Sequence, residues 1–96
     1  MGRQITIRFT GQLRTLAGCS SLDLDVAEGV TLAEALFVLR ERMPAAFGER
    51  VLEPLLAGRA TGVLVLRNRA LCSERDLERP LGQGDVIAFV TPMEGG

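Results

Sequence analysis

The chain has 96 residues, 47% of them hydrophobic and 24% charged, with a formal net charge of −1. That length suits a single compact core, able to bury most of its apolar surface without staples but with little margin. His, Lys, Trp and Tyr are all absent and every basic residue is Arg, which excludes Ser-His-Asp and Cys-His pairs, a Walker lysine, a Schiff base and imidazole zinc sites.

Residues 4–9 (QITIRF) alternate polar and apolar with period two, predicting a half-buried strand with Ile5, Ile7 and Phe9 toward the core. Residues 10–20 contain Gly and Ser and read as a connection. Leu22, Leu24 and Val26 alternate with Asp23 and Asp25, giving a second strand that pairs most simply with the first as an antiparallel hairpin.

Glu28-Gly29 closes that strand, and Thr31-x-x-Glu34 is a capping box that opens a helix. Leu32, Ala35, Leu36, Leu39 and Met43 recur at helical spacing until Pro44 halts the helix near Met43. In residues 45–61, Val51, Leu52, Leu55 and Leu56 suggest a short helical turn interrupted by Pro54. A third strand is expected in VLVLRN (63–68), then a turn at Asn68-Arg69 and a brief strand over 70–72. Residues 73–80 read as a charged surface segment, and Gly82-Gln83-Gly84-Asp85 as a turn feeding a last strand over 86–90.

A hairpin followed by a helix is not a βαβ repeat; it points to an α+β domain, a mixed sheet of four to five strands with one main helix across one face and a short second helix. The last strand, VIAFV, is too apolar for an edge. Its simplest place is beside the first strand, parallel to it, at the sheet centre, which is the β-grasp or ubiquitin-like arrangement. The domain is expected over residues 1–90, with 91–96 a flexible C-terminal tail.

The remaining chemical groups are carboxylates, hydroxyls, the termini and two cysteines. Cys19 and Cys72 form no CxxC pair or disulfide framework, and with no secretory signal in MGRQ they suggest a cytoplasmic protein with reduced thiols. No neighbouring His or Lys activates either thiol, so both read as small apolar filler. Gly2 and Thr6 fit a myristoylation pattern, but a strand starting by Gln4 would bury that end. No run approaches a membrane span, and scattered arginines among twelve acids argue against nucleic acid. No metal site is expected. The carboxylates of Asp23/Asp25 and Glu74/Asp76/Glu78 read as solvated faces, and Gly82-x-Gly84 as a turn rather than a dinucleotide fingerprint.

The sequence ends in Pro92-Met93-Glu94-Gly95-Gly96. Eleven glycines make such a pair unexceptional by composition; its position after a central strand singles it out. Without Cβ atoms the pair can thread a narrow channel, and an ionised terminal carboxylate can attack a phosphate.

In LGQGDVIAFVTPMEGG and ITIRFTGQLRTLAG the chain resembles the sulfur-carrier branch of the ubiquitin-like proteins, the molybdopterin synthase small subunit and thiamine-pathway carriers. Thr91-Pro92 stands where the molybdopterin subunits commonly have Pro-Pro. The resemblance implies a carrier rather than an enzyme. Its Gly96 carboxylate is adenylated by an E1-like adenylyltransferase using ATP, with no cofactor bound by the chain itself. A sulfur donor then displaces AMP. The resulting thiocarboxylate serves a sulfur-accepting biosynthetic enzyme, such as the molybdopterin synthase large subunit.

Strand parity puts Ile87 and Phe89 inward and Val86, Ala88 and Val90 outward. An outward apolar row beside the tail is a natural docking patch. Leu71 resembles a further contact position of the family, and Pro92 and Met93 join the expected partner-binding set. Two other readings stand beside the carrier: a modifier attached to target lysines, and an interaction module whose glycines are incidental. Thiamine, cysteine and thiolated-tRNA pathways remain alternative recipients of the sulfur.

Overall fold

A computed structural model describes residues 2–59 and 61–91. Strand β1 (Gly2–Phe9) pairs antiparallel with β2 (Ser21–Ala27), Ile5 opposite Leu24 and Ile7 opposite Leu22. The predicted alternation is observed, with Ile5, Ile7 and Phe9 all buried; the strand starts two residues earlier than the pattern suggested.

The segment between these strands is not a plain connection. It forms α1 (Gln12–Ala17), held to the core by Leu13 and Ala17, with Leu16 packed partly against it. Gly18, at φ 81°, ends it by donating its N–H to the Arg14 carbonyl at 2.8 Å. A side chain at that left-handed position would be strained, so the glycine fixes the stop.

Thr31 caps α2 (Leu32–Arg42) as predicted. The Glu34 N–H donates to Thr31 Oγ1 at 3.2 Å, and the Thr31 N–H donates to Glu34 Oε1 at 3.0 Å. The Thr31 N–H, joined by the Thr31 hydroxyl donating to the same Glu34 Oε1 at 3.0 Å, holds the Glu34 carboxyl below its ordinary value. Leu32, Ala35, Leu36 and Leu39 are fully buried, whereas Phe37 and Val38 fall off the stripe and stay exposed.

Residues 45–56 correct the expectation of a turn broken by proline. Helix α3 (Ala45–Phe47), a π-turn (Gly48–Leu52) and α4 (Glu53–Leu56) run on without a gap. Proline lacks an N–H and its ring clashes with the carbonyl four residues back. The widened turn, in which the Glu53 N–H bonds to the Gly48 carbonyl, accommodates Pro54 instead. Phe47, Val51 and Leu52 thereby enter the core. Phe47 meets Phe9 and Phe89 edge-on at centroid distances of 5.2 and 5.7 Å, and Phe9 stacks on Phe89 at 5.8 Å.

Strand β3 (Leu64–Arg67) turns into the two-residue β4 (Ala70–Leu71), and a 3-10 turn (Glu74–Glu78) lies within the expected surface segment. Strand β5 (Val86–Val90) completes a five-stranded sheet in the order β2-β1-β5-β3-β4. It runs parallel to β1 and antiparallel to β3. The fold is the β-grasp arrangement, with the last strand at the centre as predicted.

The entry to β5 is tied by Asp85, whose side chain is only 12% exposed. Its carboxylate accepts from the Gly82 N–H at 2.8 Å and the Asn68 amide at 2.9 Å, and pairs with Arg67 at 2.7 Å. Asn68 Oδ1 in turn accepts the Val86 N–H at 2.9 Å. Burial works to raise the Asp85 carboxyl, but the bonds from Gly82, Asn68 and Arg67 outweigh it and leave it below the ordinary aspartate value.

Two outcomes follow from this turn. A depressed carboxyl contributes stability that is complete above the unfolded aspartate pKa of about 3.9 and lost as pH falls through the folded value. Asp85→Asn should cost about 2–3 kcal/mol at neutral pH and flatten the acid limb of urea midpoints measured from about pH 6 to pH 3. Separately, Asn68 and Arg69 both have positive φ, 50° and 73°, matching the primed type I turn of a two-residue hairpin, where glycine suits the second position. Arg69→Gly should stabilise by about 1 kcal/mol, raising Tm by about 4–8 °C in calorimetry.

Candidate functional site

The two faces of β5 separate core from surface. Ile87 and Phe89 are fully buried, while Val86, Ala88 and Val90 are half-buried on the opposite side, so parity is as the sequence indicated. Register then assembles the outer face. Val90 lies beside Leu64, and Ala88 lies between Leu66 of β3 and Arg8 of β1. Leu71 of β4 sits beside Leu66 and is 62% exposed. Cross-strand neighbours on one face are within side-chain reach of each other, so the residues that point away from the core build one continuous outer face, which Leu71 extends onto β4.

That face is apolar on one half and polar on the other. Toward β2, Thr6 lies beside Val86 and donates its hydroxyl to Asp23 Oδ1 at 3.0 Å. The apolar half carries a shallow depression of about 330 Å³ lined by Arg8, Leu66, Asn68, Arg69, Val86 and Ala88. Around the β3–β4 edge, Leu64 and Leu71 also border a cleft of about 310 Å³ reaching Leu55, Val63, Cys72 and Leu77.

The structure thus brings together four of the sequence-selected residues, Leu71, Val86, Ala88 and Val90. It adds Leu64, Leu66, Arg8 and Arg69, which sequence reasoning did not select. Leu64 and Leu66 had a signal: if Val65 faces the core, its neighbours in VLVL face outward. Arg69 had none beyond the turn assignment. Pro92, Met93, Gly95 and Gly96 lie outside the described residues, as does the expected tail beyond Thr91. The chain approaches that segment from the centre of the sheet, where the Thr10 N–H and hydroxyl donate to the Phe89 carbonyl at 3.3 and 3.2 Å.

The cysteines stand apart from this face. Both are free and half-buried, and burial together with nearby Asp76 pushes the Cys72 thiol up, away from the thiolate form. Among the described residues no three His, Cys, Asp or Glu side chains cluster to hold a metal ion, and no helix is long and apolar enough to cross a membrane.

Comparison with known proteins agrees with this architecture. The ThiS family profile matches residues 7–96. An uncharacterised protein of Archaeoglobus fulgidus is 33% identical over 76 residues, 79% of this chain and 77% of that protein. The crystal structure of SAMP1 from Haloferax volcanii superposes with a TM-score of 0.77 at 25% identity, covering 97% of this chain and 99% of that one. A Pyrococcus furiosus protein assigned as subunit 1 of molybdopterin converting factor shares the fold at a TM-score of 0.73 and 20% identity, covering 94% and 98%. The molecule is a small ubiquitin-like protein of the β-grasp class. It belongs to the ThiS family, which takes in sulfur carriers and small modifiers.

If the outer face serves contact rather than packing, its residues and the core residues must separate on substitution. Leu71→Ala should change stability by no more than about 0.5 kcal/mol, whereas Ile87→Ala on the inner face should cost about 2–5 kcal/mol. Denaturant unfolding of the two variants measures the difference.

Proposed function

We propose that the chain is a sulfur carrier. The Gly96 carboxylate attacks the α-phosphate of ATP held by an E1-like adenylyltransferase, forming an acyl-adenylate and releasing pyrophosphate. A hydrosulfide-level donor attacks the acyl carbon, AMP leaves with the bonding electron pair, and a C-terminal thiocarboxylate remains. That group passes its sulfur to a biosynthetic enzyme, and the acceptor of this reading is the large subunit of molybdopterin synthase.

The observation that carries the reading is the family match running through Gly96, so that Gly95-Gly96 falls inside the span shared with the ThiS family. The composition supports it. With no His or Lys and a Cys72 thiol disfavoured as thiolate, the chain brings a carboxylate, and the partner brings nucleotide, acid-base groups and sulfur. The chain is the substrate of this chemistry and binds no cofactor of its own. Leu71, Val86, Ala88 and Val90, continued by Pro92 and Met93, form the docking surface that delivers the terminus. We place the reaction in the cytoplasm, where reduced Cys19 and Cys72 persist.

A second reading has one observation in its favour, the 25% identity and shared fold with SAMP1, a protein named as a small archaeal modifier. In that reading a neutral lysine amine on a target attacks the acyl carbon of the same acyl-adenylate, AMP leaves with the bonding electron pair, and the nitrogen gives up a proton as the amide forms.

Co-expression with an activating enzyme and a sulfur source should raise the intact mass by one oxygen-to-sulfur exchange and support ATP–pyrophosphate exchange. Removing Gly96 should abolish both while leaving Tm unchanged, since β5 ends at Val90. An unaltered mass with no exchange would overturn the carrier. High-mass adducts lost with the same deletion would favour the modifier.

A further inference from the structure

Arg69 holds its backbone at φ 73°, in the left-handed region that disfavours side chains with a Cβ. Arg69 lines the depression on the outer face, and Arg8 lines it from β1 as the register neighbour of Ala88. Among the described residues neither arginine makes an ion pair or a side-chain hydrogen bond, as also holds for Arg42, Arg50, Arg59 and Arg75; what sets Arg8 and Arg69 apart is that they line one depression with an apolar floor. Asp23, on the polar half of the same face, accepts from Thr6 instead.

Strain that secures no internal contact points outward. Two unpaired cations flanking an apolar floor are arranged for an anion that arrives with apolar surroundings. A planar guanidinium meets a carboxylate with two parallel hydrogen bonds, and such pairs strengthen as apolar contact excludes water. The face offers no aromatic ring to stack a base, and the chain carries a net charge of −1, so a protein fits better than a nucleic acid.

We infer that Arg8 and Arg69 form a two-sided clamp for an Asp or Glu side chain of the activating enzyme, the apolar residues around that acid packing on Leu66, Val86 and Ala88. The inference rests on the carrier reading and adds to it the charge of the partner's contact surface. It makes Arg69 a recognition residue, retained at the expense of the hairpin.

The test is ATP–pyrophosphate exchange by the cognate activating enzyme, with the full chain as varied substrate across a series of salt concentrations. Arg69→Gly should raise Tm yet raise KM for the carrier about tenfold with kcat unchanged, as expected for one lost charged contact. Arg8→Glu combined with Arg69→Glu should raise KM about a hundredfold and abolish the salt dependence of the wild type. Circular dichroism checks that each variant is folded. Restoration of the double variant's KM by Asp or Glu→Arg at one position of the enzyme would identify the clamped acid. An unchanged KM and salt slope in folded variants would overturn the clamp while the wild type's exchange upholds the carrier. Loss of retention on a heparin column with KM unchanged would assign the pair to a polyanion and overturn it equally. No exchange with wild type would remove the carrier reading, and the clamp with it.

Discussion

The parallel pairing of β1 with β5 is the contact on which the rest of the structure depends. It joins the two ends of the domain, placing Ile7 beside Ile87 and Phe9 beside Phe89, and all four side chains are buried. Phe47 then packs on both phenylalanines, which fixes the helical segment 45–56 against the same seam. Because β5 is flanked on both sides, its backbone has no free edge, and the chain beyond Val90 departs from one of the most constrained places in the molecule. A segment that leaves from there starts from a fixed point, whereas one that leaves from an edge strand starts from a backbone that can fray.

Such a seam needs its register fixed, since a slip of one residue would turn Ile87 and Phe89 outward and Val86, Ala88 and Val90 inward. Asp85 and Asn68 supply that constraint. The Asp85 carboxylate gathers the Gly82 N–H, the Asn68 amide and the Arg67 guanidinium, so one side chain ties the turn before β5 to the end of β3. Asn68 extends the pairing past the last strand residues, with its N–H on the Val86 carbonyl at 2.8 Å and its side-chain oxygen on the Val86 N–H. The same bonds account for an asparagine at positive φ, a position that residue tolerates. They leave Arg69 as the part of the hairpin that local structure does not explain.

The sheet was legible because its signals are local and periodic. Alternation in residues 4–9 and 22–26, the Thr31 capping box and the apolar VIAFV each reflect a single constraint that nearby residues already satisfy. Helix α1 was missed for the opposite reason. Its six residues are below the length at which a helix is stable alone, and its Leu13, Leu16 and Ala17 spacing matters only once a core exists to receive it. The helical run through Pro54 was misread because a proline normally ends a helix, and the π-turn that absorbs it depends on packing of Phe47, Val51 and Leu52. Of the outer face, Val86, Ala88 and Val90 followed from parity, and Leu71 from family resemblance. The convergence of Arg8 with Arg69 required the register of three strands and a backbone angle, none of which a linear pattern carries.

These differences in legibility track a division of labour between the two faces. The inner face is set by burial: its residues are large, apolar and mutually packed, and a change there costs the core directly. Residues of the outer face are half-exposed, so stability constrains them weakly and contact with another molecule is free to select them. In a domain whose total stability is about 5–15 kcal/mol, a strained arginine in a hairpin is a sizeable concession, and a substitution to glycine at the same position would remove it. Local structure favours glycine at residue 69, and the arginine found there is what the proposed clamp would account for. The sulfur-carrier chemistry proposed for the terminus needs only a carboxylate and a delivery path; in the same proposal the choice of enzyme that receives it falls to the exposed side of the sheet, whose residues the core constrains least.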